Sequence, residues 1–312
     1  MRLKAVIIAL SLVLGCIAPS GQIPEPPPPA PEPAPVPPAN QPGVNASVGL
    51  ANNSKIRIAS FNIQVFGESK RSKPQVMEIL SKSARNFDIM LVQELRDSTE
   101  TTLPFYLEQI NSLPGPDYLA VSSPRLGRTS SKENYAYVYN PEKLTLLANY
   151  TFADPPGNSS PDIFQREPFI ARFKSNNGSF DFVLIGIHTD PDEAVQEIDD
   201  LALTVGDARA RFPGEDDFII LGDLNADCDY FDADEPVSIK NSSFIWIIPD
   251  TADTTTRSTD CAYDRIILSE SANESYAGEW GVFRFDLEYG LNQSLTLEVS
   301  DHYPVWADFN PS

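Results

Sequence analysis

From Lys55 onward the chain alternates short apolar stretches with polar turns and longer amphipathic stretches. Residues 56–63, 89–93, 135–139, 169–173, 180–187, 218–221, 263–268 and 305–309 read as strands. Several of these are apolar at consecutive positions, the pattern of a strand covered on both faces. Helical spacing predicts helices over 74–86, 98–111 and 191–211. In the third, Ala194, Ile198, Leu201 and Val205 share a face, and Asp190-Pro191-Asp192 predicts an acidic cap at its start. Strands and helices in this mixture predict an α/β domain with more than one sheet. No internal repeat, phosphate-binding Walker loop or dinucleotide fingerprint is present.

The first 54 residues follow other rules. A charged start (Arg2, Lys4), an apolar run over 5–14 and Gly15 before Cys16 form an export signal. The run is shorter than the roughly 18 residues of a membrane span. The segment Leu12-Val13-Leu14-Gly15-Cys16 resembles the lipobox of prokaryotic lipoproteins, in which the cysteine becomes a lipidated N-terminus; ordinary signal cleavage is the alternative. Residues 24–42 are mostly proline with Ala and Glu, a composition that favours extended polyproline II and reads as a stalk. The expected organisation is a signal peptide with a lipobox-like end (1–16), a Pro-rich tether (17–54) and a catalytic domain (55–312). The protein is then exported, as a lipoprotein anchored to a membrane or as a secreted chain.

The chain has three cysteines. With Cys16 lipidated or removed, Cys228 and Cys261 remain, either as a disulfide suited to an oxidising compartment or as two buried thiols. Sequons recur, at Asn45, Asn52, Asn149, Asn158, Asn177, Asn241, Asn273 and Asn292, and are compatible with surface glycosylation.

Charge changes the picture. The formal net charge is −21, whereas proteins that hold nucleic acid by counterion release carry excess Lys and Arg. The plain reading is an acidic protein that avoids nucleic acid. Carboxylates that hold Mg²⁺ or Ca²⁺ reverse the local field, however, and such an enzyme needs Asp, Glu and Asn clustered at strand ends. Those clusters exist: Asn62 after 56–61, Glu94 after 89–93, His188 after 180–187, Asp223 and Asn225 after 218–221, Asp264 in Tyr263-Asp264-Arg265, and Asp301-His302 before Tyr303-Pro304. Any one alone is an ordinary cap or turn residue. The chain has only two histidines, and both fall in these clusters.

Together these stretches resemble the endonuclease/exonuclease/phosphatase superfamily, and closely its deoxyribonuclease I branch. The matching segments are Ile58-Ala59-Ser60-Phe61-Asn62-Ile63 with Phe66-Gly67-Glu68, Asp88 through Asp97, Gly127-Arg128, Lys132-Glu133, Arg166-Glu167-Pro168, Gly222-Asp223-Leu224-Asn225-Ala226-Asp227-Cys228, Asp253-Thr254-Thr255, Cys261 through Arg265 and Ser300-Asp301-His302-Tyr303-Pro304. Gly-Asp-x-Asn and Ser-Asp-His mark the superfamily, and the cysteine-flanked and Asp-Thr-Thr segments mark the branch. The resemblance spans 55–309 in order. It implies two mixed β-sheets packed face to face as a sandwich with outer helices, and active-site loops at one edge.

It also implies roles. Glu94, Asp223 and Asp301 would hold Mg²⁺ (or Mn²⁺), and Asn62 and Asn225 would hydrogen-bond the scissile phosphate. His188 would pair with Glu133 and His302 with Asp264, His302 acting as base and His188 as acid. Arg166 would face the phosphate, and Arg96 and Arg128 the minor groove of double-stranded DNA. One Ca²⁺ site would use Asp154, Asp162, the Phe164 carbonyl and Glu167; a second would use Asp253 and Thr255, where Arg257 interrupts a threonine-rich pattern. Two departures stand out: no cysteine lies between Asp154 and Arg166, and Ser131 replaces a tyrosine expected to stack in the groove. The expected activity is metal-dependent hydrolysis of DNA to 5′-phosphate and 3′-hydroxyl ends by a monomer. The competing readings are a lipid or inositol-phosphate phosphodiesterase of the same superfamily and a non-catalytic surface-binding module.

Overall fold

Twelve strands form two sheets of six in the computed structural model, which describes residues 54–153 and 162–312. The expected signal peptide with its lipobox-like end, the expected tether up to residue 53, and Asp154 lie outside the described residues. In the first sheet, β1 (Ile56–Phe66) runs parallel to β2 (Ile89–Leu95). Antiparallel neighbours extend it on both sides: β12 (Val305–Phe309) and β11 (Tyr276–Val282) on one, β4 (Asn134–Tyr139) and β3 (Leu119–Ser122) on the other. In the second, β7 (Asp181–His188) runs parallel to β8 (Phe218–Asp223). It is flanked by β6 (Phe169–Ser175) and β5 (Leu144–Thr151), and by β10 (Asp264–Ser269) and β9 (Phe244–Trp246).

The two sheets therefore share one topology, order β11-β12-β1-β2-β4-β3 matching β5-β6-β7-β8-β10-β9, although the sequence shows no repeat. The shared pattern has a chemical consequence. The parallel pairs bring the C-terminal ends of β1, β2, β7 and β8 to one edge, and antiparallel pairing brings the starts of β4, β10, β6 and β12 to it as well. Every cluster of polar residues singled out in the sequence sits at one of those ends.

Packing explains the two-faced apolar strands. Between the sheets lie Ile58, Leu91, Tyr137, Phe169, Phe182, Leu221 and Ile266, all fully buried or nearly so. The outer face of the first sheet is covered by α2 (Pro74–Ala84) and α3 (Thr102–Asn111), which bury Leu80, Tyr106 and Ile110 against Phe61, Phe66 and Val92. The outer face of the second is covered by α4 (Ala194–Arg211), whose Ile198, Leu201, Val205 and Ala208 pack on Ile185, Ile187 and Ile220. Helix, sheet, sheet, helix is the layering that α/β patterning predicts.

α2 begins at the expected residue, and the other two helices begin later than expected, at Thr102 and Ala194. Pro74 at the first turn opens α2, where its missing N–H costs nothing. The third helix begins at Ala194, not at 191: Asp190 Oδ1 accepts from Asp192 N in a local turn, and no side chain caps the helix. At α3 the cap is Asp97, whose carboxylate accepts from the backbone N–H groups of Thr99, Thr101 and Thr102. Those bonds overcome the cost of burial and hold it well below the usual carboxylate range.

Candidate active site

Two histidines face one carboxylate. His188 closes β7 and is buried; its Nδ1 lies 2.9 Å from Glu133 Oε1, at the start of β4 in the other sheet. His302 precedes β12; its Nδ1 lies 2.8 Å from Asp264 Oδ2, at the start of β10. Both Nε2 atoms then lie 3.5 Å from the same oxygen, Asp223 Oδ2. Each carboxylate fixes its imidazole's orientation and leaves Nε2 for chemistry.

The electrostatics follow from burial. Burial alone discharges an imidazole, yet Asp264 and Asp223 outweigh it and raise His302 to about 10. His188 is raised too, by Glu133 against burial and Arg166. Asp223 is buried, a circumstance that disfavours its charge, and the two histidines hold it below the ordinary value. Glu133 is likewise held down by His188, Arg166 and Arg96 despite complete burial.

The backbone that presents these groups is unusual. Gly222 sits at φ +150, and a Cβ there would come 1.8 Å from Ile187 O, so Gly-Asp-x-Asn needs its glycine for close approach of β7 and β8. Asn225 adopts φ 47, donating its N–H to Asp223 Oδ1 and its amide to Thr189 O. Glu94 has φ 59, a left-handed state at the end of β2. Strain of this kind clusters at functional sites. The Cys228–Cys261 disulfide, with Cα atoms 5.9 Å apart, staples the loops that follow Asp223 and precede Asp264.

Of the acidic residues expected to hold a cation, Glu94 and Asp223 share one donor. Asn62 Nδ2 donates to both Glu94 Oε1 (3.2 Å) and Asp223 Oδ2 (2.9 Å), bridging the sheets. Asp301 Oδ2 accepts from Gln64 (2.7 Å), while its Oδ1 is buried with no hydrogen-bond partner. An orphaned buried carboxylate oxygen is a donor of the kind that a hard divalent ion takes. Among the described residues the three-donor group compact enough to hold an ion is a different one, Asp223, Asp264 and His302, with atoms within 4.8 Å. Asp264 and His302 are hydrogen-bonded to each other there, and Asp223 is the carboxylate that this group shares with the expected set.

Other expected site residues are placed less directly. Arg96 lies 3.3 Å from Glu94 and 3.4 Å from Glu133, at the edge of the cluster. Arg166 is buried and donates to the carbonyls of His188 and Thr189, with Glu133 at 3.3 Å, so it braces the His188 pair. Arg128 is turned to Asp162 and Glu193, in the exposed hairpin that also carries Ser131. Asp162 is thereby engaged, Phe164 is buried against Phe152, and Glu167 is half-buried. Asp253 Oδ1 accepts from Thr255 N and Oγ1, forming a closed local turn.

Sequence reading missed three supporting residues. Gln93, fully buried, accepts from Ser60 Oγ, donates to Ile187 O at 2.6 Å and receives Asp223 N, tying β2 to β7 and β8 beneath the site. As the one polar side chain preceding Glu94 on an apolar strand, it left a visible signal. Gln64 and Lys70 left none. Gln64 acts through a register break between Asn62 and Phe66. Lys70, in the four-residue α1 (Glu68–Arg71), donates to Ile63 O and Val299 O. Burial lowers its pKa to about 8, against Asp301 and Glu94.

Two histidine–carboxylate pairs around one buried aspartate, at one edge of a two-sheet sandwich, define a phosphoester-hydrolase site. Residues 59–302 match the Endonuclease/Exonuclease/phosphatase family, and the chain belongs to that family, in its deoxyribonuclease I-like branch. It is 38% identical over 259 residues to deoxyribonuclease gamma of Rattus norvegicus, covering 80% of this chain and 83% of the relative. To deoxyribonuclease-1 of Bos taurus it is 37% identical over 256 residues, covering 80% and 90%. An endonuclease/exonuclease/phosphatase from Bacteroides vulgatus shares the fold, with TM-score 0.58 at 19% identity over 82% of this chain and 98% of that one. A mannosyl-6-phosphatase of Bacteroides thetaiotaomicron does so too, with TM-score 0.56 at 17% identity over 81% and 99%.

Proposed function

We propose that the protein is an exported, divalent-metal-dependent endonuclease that hydrolyses duplex DNA to 5′-phosphate and 3′-hydroxyl ends. The observation that carries the reading is the convergence of His188 Nε2 and His302 Nε2 on one oxygen of Asp223, each imidazole backed by its own buried carboxylate. Displacement at phosphorus requires a proton acceptor and a proton donor near one point, and two imidazoles that share one neighbouring oxygen support that reading. Relatives named as deoxyribonucleases favour DNA as the diester.

Glu94, Asp223 and Asp301 would hold Mg²⁺ or Mn²⁺, which when bound supplies positive charge to the phosphate oxygens. In this chain's own residues, His302 is the base and His188 the acid. With a pKa near 10, His302 keeps its proton at neutral pH, so it serves as base only when positive charge offsets Asp223 and Asp301. Asn62 and Asn225 orient the phosphate. Ca²⁺ at the Asp253 and Asp162 loops is a stabilising expectation. Export is supported by the Cys228–Cys261 disulfide.

A panel of supercoiled plasmid, phospholipid vesicles and inositol phosphates, each assayed with Mg²⁺ and Ca²⁺, tests the reading. Plasmid nicking with untouched lipid is the expected result; phospholipid hydrolysis with the plasmid intact would overturn it.

A further inference from the structure

We infer that Arg257 is a phosphate-binding residue on the His302 side of the site, a role that deepens the endonuclease reading and rests on it. Among the guanidiniums around the site are Arg96, Arg128, Arg166 and Arg257. Arg166 is buried with 8% of its side chain exposed, Arg128 is held by two carboxylates, and Arg96 lies between Glu94 and Glu133. Arg257 differs: its side chain is 57% exposed, and its ion pair is a single contact to Asp301 Oδ2 at 3.2 Å. An exposed pair of one contact is worth little and exchanges easily.

Its backbone, by contrast, is fixed. The preceding residue, Thr256, is buried; its N–H donates to Asp301 O at 2.9 Å, its hydroxyl to Ser300 O, and its carbonyl accepts from Gln293. Thr255 bridges to His302. An exposed cation is thus anchored one residue beyond a hydrogen-bonded contact with the Asp301-His302 segment. On the other side of Asp223, Arg96 stands beside Glu133 and the His188 pair.

A chain of net charge −21 repels a polyanion, so cations at the rim have to meet the strand on both sides of the scissile bond. Any phosphodiester seated between the two histidines has a neighbouring phosphate on each side along its strand. Arg257 reaches the one on the His302 side by exchanging Asp301 for a phosphate oxygen, a fork-shaped donor suited to it.

The test is duplex binding by fluorescence anisotropy across a range of KCl concentrations with Mg²⁺ present, in a His188→Ala background that suppresses turnover. Arg257→Ala is expected to weaken binding about three- to tenfold and to flatten the slope of log affinity against log salt by about 1, while Arg257→Lys keeps the slope. In the otherwise unaltered enzyme, Arg257→Ala raises KM for plasmid by a similar factor and lowers kcat less than about twofold. An unchanged salt slope, or a fall in kcat at constant KM, overturns the inference, the latter because Arg257 would then act through Asp301. Should the wild-type protein bind duplex without cutting it, the endonuclease reading falls and the slope comparison still decides Arg257.

Discussion

Asp264 is the foremost of the carboxylates that favour the imidazolium of His302, the imidazole proposed as base. Replacing it by asparagine keeps the shape and removes the negative charge that favours imidazolium, so the pKa of His302 falls from about 10 toward that of a free histidine. Following the imidazole Hε1 shift of Asp264→Asn by NMR tests this; an unmoved titration would deny the pairing its electrostatic role. At the groove, Arg96→Ala lowers duplex cleavage and Ser131→Tyr raises it, both mainly through KM, because neither residue belongs to the histidine pairs. A change confined to kcat would place them in the chemistry instead. The two histidines and Asp264 were legible as polar residues at the ends of apolar strands, whereas Glu133 and both pairings came from the family resemblance. Gln64 and Lys70 were not, since the first works through a strand irregularity and the second through backbone carbonyls brought near only by the fold.

Elements show where pattern reading fails. All eight expected strands exist, and the four it missed, β3, β5, β9 and β11, are the edge strands of the two sheets. Edge strands are half-exposed, as the burial of Leu119–Ser122 shows, so they lack the apolar run that marks a buried strand. The helices missed are short ones of four to seven residues, too brief for helical periodicity. On α4, Glu197 is buried and accepts from Asp190 N and Gln165 N; burial nonetheless raises its pKa to about 7. The folded state therefore holds this proton more tightly than the unfolded chain. Its contribution to stability is greatest below the unfolded carboxylate pKa and is lost as pH rises through about 7. Thermal unfolding across that interval should show the decline in wild type and a smaller one in Glu197→Gln. Equal slopes would assign the pH dependence elsewhere.

For the whole molecule, the disulfide and the shared sheet topology matter most. Cys228 and Cys261 enclose 33 residues of separation beside Asp223 and Asp264, and losing that link costs roughly 3 to 4 kcal/mol in the chain-entropy model. A Cys228→Ser/Cys261→Ser pair should unfold at lower denaturant; an unchanged midpoint would show that the sandwich alone fixes those loops. The sandwich itself was legible only through the family resemblance, because strand order and the repeated topology are long-range facts that local patterning does not encode. Both sheets converge on Asp223, and the two histidines that face it are the residues proposed to carry DNA hydrolysis. The most direct measurement is the initial nicking rate of supercoiled plasmid with Mg²⁺ for wild type, His188→Ala and His302→Ala, with chelator as control. Each substitution should reduce the rate at least about a hundredfold, and chelator should abolish it. Near-wild-type nicking by either variant, or nicking that survives chelation, would contradict the account.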